Sequence, residues 1–147
     1  MARFRFRLEA ALGLAERRLE DKQRILAQEI QKLANLQKAR GEKEQAWLLA
    51  LEGQKEACKT SIQDLPLWQV FTQKQLDILR QLEKQVLEQE KVVDAKRKEL
   101  LEAHQEAEKL RRLKAKQKAI FDLMEQRREQ AVLEEAGQII VGRRSKV

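Results

Sequence analysis

Apolar residues return alternately every three and four positions from Leu79 to Met124 without a slip. The positions are Leu79, Leu82, Val86, Gln89, Val93, Lys96, Leu100, Ala103, Ala107, Leu110, Lys114, Gln117, Phe121 and Met124, and ten of the fourteen are apolar. A seven-residue repeat held this long makes a narrow apolar stripe on a helix, and that stripe requires a partner helix. The residues between are mostly Glu, Lys, Gln, Arg and Ala, which are strong helix formers. Neither Gly nor Pro occurs from Leu67 to Ala136. The spacing predicts a helix over about 66–137. Gly137 should end it, as glycine commonly does, leaving residues 138–147 as a frayed tail.

A second stripe runs through the first half: Leu8, Leu12, Ala15, Leu19, Lys22 and Leu26. Its register then shifts by one, to Ile30, Leu33 and Gln37, a stutter that should relax the supercoil locally. Gly13 costs about 1 kcal/mol relative to Ala within a helix. Gly41 and Gly53 loosen the pattern further on, where Trp47, Leu48 and Leu51 supply apolar contacts. This predicts a first helix over about 4–60.

The break between the stripes lies at Ser61-Ile-Gln-Asp64-Leu-Pro66. Proline fits the first turn of a helix and not its interior, and Asp64 just before it suits an N-cap. A turn over about 61–65 is too short for anything but an antiparallel return. The expected fold is all-α: two long helices in an antiparallel coiled-coil hairpin, one domain over 1–147.

Composition agrees with a coiled coil. Charged residues make up 37% and aromatics 4%, with five Gly and one Pro, too little turn chemistry for a compact fold. High charge also suits disorder, but disorder does not generate a heptad stripe. The single cysteine, Cys58, has no intramolecular partner and suits a reducing compartment. Arg3, Arg5 and Arg7 resemble the basic start of a signal peptide, but Glu9 and Glu16 interrupt the apolar run that should follow. No apolar run approaches the roughly 18 residues of a membrane span. A cytoplasmic location is expected, with any membrane association made through a partner or surface charge.

Catalytic chemistry is not apparent. One histidine, His104, cannot build a metal cluster or a triad. No Gly-rich phosphate loop occurs, and acidic pairs such as Glu134-Glu135 would lie on a solvated face. Neither an enzyme nor a cofactor or metal site is expected, so binding is the function left.

The net charge of +7 is uneven. Residues 1–8, 109–118 and 143–147 carry +12 between them and no acid, which leaves −5 for the remainder. An antiparallel hairpin should gather all three segments at the end that holds both termini. That convergence points to an electronegative partner. Nucleic acid fits poorly, because the basic stretch lacks interleaved aromatics and sits within the heptads rather than ahead of a zipper.

Phe4-Arg5-Phe6-Arg7-Leu8-Glu9-Ala10-Ala11-Leu12 resembles the F-x-F-R-L-E-x-x-L opening of the flagellar export protein FliJ family. Leu82-Glu-Lys-Gln-Val-Leu-Glu-Gln89 is similar to that family's L-E-x-x-I-x-x-Q segment. Glu129-Gln-Ala-Val-Leu-Glu134-Glu-Ala136 is similar to its E-Q-x-x-x-D-E-x ending, with Glu134 in place of Asp. The resemblance implies an antiparallel coiled coil similar to the stalk (gamma) subunit of rotary ATP synthases. It implies a non-enzymatic stalk of the type III export apparatus that binds and stimulates the hexameric export ATPase. It also implies contacts with the export gate membrane protein and with substrate chaperones, at the cytoplasmic face of the membrane. The free chain is expected to be monomeric and to bind no nucleic acid. The implied ATPase-binding residues are Arg3, Arg5, Arg7, Lys109, Arg111, Arg112, Lys114, Lys116 and Lys118. The implied gate-binding residues are Phe71, Ile78, Leu82 and Gln89. Two alternatives stay open: the stalk of an injectisome, and a nucleic-acid-binding or scaffolding coiled coil.

Overall fold

A computed structural model describes residues 2–145. They form a hairpin of two long antiparallel helices, α1 (Glu9–Thr60) and α2 (Leu65–Ser145), joined by a 3-10 turn at Ile62–Asp64. Glu9 stands in the first turn of α1 and Lys59 in its last, each complementing the helix dipole. In the connection Ser61 N–H donates to Ala57 O at 3.0 Å, and Asp64 N–H to Ser61 O at 3.0 Å. The Ser61 hydroxyl donates to Asp64 Oδ2 at 2.8 Å. The Asp64 carboxylate is therefore occupied within the turn. Pro66 occupies the first turn of α2, where its missing N–H costs nothing.

The contacts divide the chain into two compact units: unit 1, Met1–Leu19 with Ala103–Val147, and unit 2, Glu20–Glu102. In unit 1 the buried apolar residues are Phe6, Leu12, Ala15, Leu19 and Ala107. In unit 2 they are Ala50, Ala57, Leu79, Val86 and Val93. Of the fourteen positions read from the α2 stripe, only Gln117 and Met124 are exposed.

Three local expectations are corrected. First, α1 begins at Glu9 rather than near residue 4. The alternation Arg3-Phe4-Arg5-Phe6-Arg7 has period 2, so a non-helical segment can turn both rings inward and all three cations outward. Phe6 is buried, Phe4 meets the Phe121 ring at 5.6 Å, and Glu9 N–H donates to Phe6 O at 3.2 Å. Leu8, expected in the seam, is 39% exposed.

Second, no stutter occurs at Ile30. Glu29 takes the seam position after Leu26, and Leu33 and Leu36 follow, while Ile30 and Gln37 are exposed. Glu29 can serve there because Gln89 bonds its carboxylate across the seam. The irregularity lies later, where Leu33, Leu36 and Ala39 are half-buried at successive three-residue steps.

Third, Gly137 does not end α2, which runs through it and Gly142 to Ser145. No glycine adopts positive φ. A Cβ at Gly137 would meet nothing within 4 Å, so no packing forces a stop there. A solvated glycine costs a helix only about 1 kcal/mol. From Asp122 to Arg144 every residue is exposed except Glu125 and Gly142.

Candidate docking surfaces

The first surface belongs to unit 1. Within the basic run of α2, Lys114 Nζ lies 2.9 Å from Glu9 Oε2, and Arg111 Nε lies 3.3 Å from Glu16 Oε1. Arg111 and Arg112 also reach Glu108, at 3.9 and 3.4 Å. Further along the same seam, Arg18 and Glu106 stand 4.0 Å apart. These pairs flank a seam of small residues: Ala15 and Ala107 are buried and Ala103 is half-buried. Short side chains leave room for the long stems of Arg111 and Lys114 to lie along the seam.

The nine cations of this surface therefore divide. Arg111, Arg112 and Lys114 have acidic partners within the chain. Among the described residues Arg3, Arg5, Arg7, Lys109, Lys116 and Lys118 have none, and all six are exposed. Arg3 and Arg5 flank Phe4, whose ring packs at a tilt against Phe121, three residues past Lys118 on α2. The third basic segment does not join them. Arg143 and Arg144 lie 22 and 23 residues past Phe121 on one unbroken helix, about 33 Å along its axis. Lys146 lies outside the described residues.

The second surface belongs to unit 2. Trp68 packs its ring on Gly53: a Cβ there would overlap Trp68 Cζ3 and Cη2 and lie 2.8 Å from Cε3. Gly53, read from sequence as a loosening residue, is the seat of an aromatic clamp. Phe71 meets Trp68 edge-on at 6.1 Å and is 46% exposed. Leu67 and Val70 are 73% and 66% exposed. Asp64, Leu67, Trp68 and Phe71 line an open groove of about 360 Å³. At 100° per residue Leu67, Val70, Phe71 and Ile78 share one side of α2, distinct from the side of Thr72, Leu79 and Val86 that is buried.

The gate-binding candidates are unequal. Phe71 is exposed; Ile78 and Leu82 are half-buried. Gln89 is committed elsewhere: its amide donates to Glu29 O at 3.0 Å and Glu29 Oε2 at 2.6 Å. Leu67 and Ile62, the latter 72% exposed, went unsingled from sequence. Leu67 could have been found, because it precedes Phe71 by four residues.

Among the described residues no three His, Cys, Asp or Glu side chains are grouped to hold a metal ion. His104 and Cys58 are exposed. No described helix is long and apolar enough to cross a membrane. No curated protein and no solved structure matches the chain significantly. Residues 4–146 match the family model described as flagellar FliJ protein, so the chain belongs to the FliJ family and is a component of the flagellar export apparatus.

Proposed function

We propose that this chain is the non-enzymatic stalk and adaptor of the export apparatus, with unit 1 docking on the hexameric export ATPase and stimulating it. The supporting observation is the set of six exposed cations without an acidic partner, Arg3, Arg5, Arg7, Lys109, Lys116 and Lys118. Like charges gathered this way repel, and an acidic partner surface that neutralises them offsets that repulsion and speeds encounter. The apolar side of α2 around Leu67, Val70 and Phe71 is the contact for the export gate, and substrate chaperones are the third class of partner. The chain works at the cytoplasmic face of the membrane through these partners.

Internal pairing dictates the test. Reversing Arg111 would oppose Glu16 and Glu108 and disturb the seam. Reversing Lys109, Lys116 and Lys118 to Glu leaves every ion pair intact. The expected result is loss of most ATPase stimulation with helix content unchanged. Wild-type stimulation should also weaken as salt rises, since the Debye length is only about 10 Å at 0.1 M. A control reversing Lys55, Lys59 and Lys74 should stimulate as wild type does. Equal stimulation by the two triple variants would reject unit 1 as the docking surface. For the gate, Phe71→Ala with Ile78→Ala should weaken binding of the gate's cytoplasmic domain, and unchanged affinity in the folded variant rejects that assignment.

A further inference from the structure

The seam of unit 2 contains more polar contact than a two-helix hairpin needs. On α1, Lys22, Glu29, Leu36 and Lys43 follow one another at seven-residue steps. On α2, Lys96, Gln89, Leu82 and Gln75 do so in the opposite direction. All eight are half-buried. Three of the four levels are bridged across the seam. Lys22 Nζ donates to Glu99 Oε2 at 3.0 Å, and Lys96 Nζ donates to the same oxygen at 3.4 Å. Gln89 donates to Glu29, and Lys43 Nζ donates to Gln75 Oε1 at 3.5 Å. Only the Leu36 and Leu82 level is apolar.

The alternate levels hold Leu26, Leu33, Val86 and Val93. They are apolar throughout, and hydrophobic contact is non-directional. A seam made only of such levels would tolerate sliding, because a slip of three or four residues would again set apolar groups against apolar groups. Polar side chains in a coiled-coil core discriminate where hydrocarbon does not. A slip leaves them half-buried and unpaired, which costs more than the lost contact itself. They hold register at the expense of stability.

We infer that Lys22 with Lys96 and Glu99, Glu29 with Gln89, and Lys43 with Gln75 form a register lock, a ladder of polar rungs fixing the alignment of α1 on α2. Near the turn the Trp68 ring on Gly53 already fixes that alignment. The rung at Lys22 lies 31 residues from Gly53 along α1, about 46 Å, where a clamp at the turn no longer restrains sliding. Between Leu19 and Ala50 no residue of α1 is buried, so apolar packing does not substitute for the rungs.

Spin labels at Ala27 and Gln81, both exposed, in a Cys58→Ser background read the alignment. The two sites are offset along the seam, so a four-residue slip moves them by about 6 Å. Excess unlabelled protein confines the signal to pairs within one chain. The parent should give one narrow distance. Replacing Lys22, Glu29, Gln89 and Lys96 by Leu should raise the melting temperature and broaden or displace that distance. Gln at Glu29 and Glu99, which keeps polar rungs, should lower the melting temperature and retain the single distance. A four-leucine variant that keeps the parent's narrow distance would overturn the lock, whatever its stability.

Discussion

In unit 1 the buried residues are hydrocarbon, Phe6, Leu12, Ala15, Leu19 and Ala107, and most of the charges stand beside them in partly exposed pairs, with one, Lys114, at a half-buried seam position. In unit 2 polar groups enter the seam itself: Lys22, Glu29, Lys43, Gln75, Gln89 and Lys96 all lie within it. The same seven-residue arithmetic therefore builds two kinds of contact. Apolar filling with charges outside favours association and leaves surplus cations facing solvent. Polar filling gives up part of that association for alignment. A docking surface, as proposed for unit 1, and an alignment device, as inferred for unit 2, have opposite demands.

Breaking unit 2 at its tightest point should have the largest effect. Gly53→Ala drives a methyl group into the face of Trp68, a rigid ring that cannot fold away. Overpacking of this kind costs about 1–3 kcal/mol, and urea denaturation should show an earlier transition. Gly13→Ala in unit 1 is the counterpart. Its Cβ meets nothing within 4 Å, so the helix gains up to about 1 kcal/mol. If both substitutions shift the midpoint the same way, Gly53 is not the seat of a clamp.

That contrast also shows how much was legible. Both helices, the turn at Pro66 and twelve of the fourteen α2 seam positions follow from spacing alone, because the heptad is a property of one strand of sequence. What spacing cannot show is which residue stands opposite. Gly53 appears as a weakness until Trp68 is set against it. Glu29 reads as a surface acid until Gln89 is found across from it, and so the stripe appeared to jump to Ile30. The basic run at 109–118 appeared uniformly unpaired because Glu9 and Glu16 lie about a hundred residues away in sequence. Two of the three basic segments converge, and Arg143 and Arg144 do not, because Gly137 fails to stop α2.

Acid should distinguish the seams next. The Gln89 amide, then Lys32 and Lys96, hold the Glu29 carboxyl below its ordinary value of 4.5, against the opposing effect of partial burial. Hydrogen bonds from Lys22 and then Lys96 do the same for Glu99. A carboxyl whose folded pKa is depressed binds fewer protons folded than unfolded, so its contribution is complete above its ordinary pKa and is lost as pH falls through the lowered one. Unit 2 should therefore loosen below about pH 4.5. In the Glu29→Gln, Glu99→Gln variant the stability difference from wild type should shrink as pH falls through that window. A difference that stays constant with pH would show that these rungs carry no net proton linkage.

The smallest effect expected lies in unit 1, and it tests whether its ion pairs are fastening or merely neighbours. Glu16 and Arg111 are 43% and 42% exposed, and their 3.3 Å contact crosses from one helix to the other. Water screens such a pair, and ordering two long side chains costs entropy, so a double-mutant cycle should give about 0.2–1 kcal/mol. The coupling should fade as salt rises, since neither charge is shielded from counterions. Glu16→Ala alone should be nearly neutral for stability yet leave Arg111 with only its longer 3.9 Å contact to Glu108, beside the six cations that have no acidic partner. Under the docking model, that change leaves ATPase affinity equal or slightly higher at low salt. A coupling well above 1 kcal/mol, or affinity lost in Glu16→Ala, would mean that Arg111 positions the basic surface rather than lying alongside it.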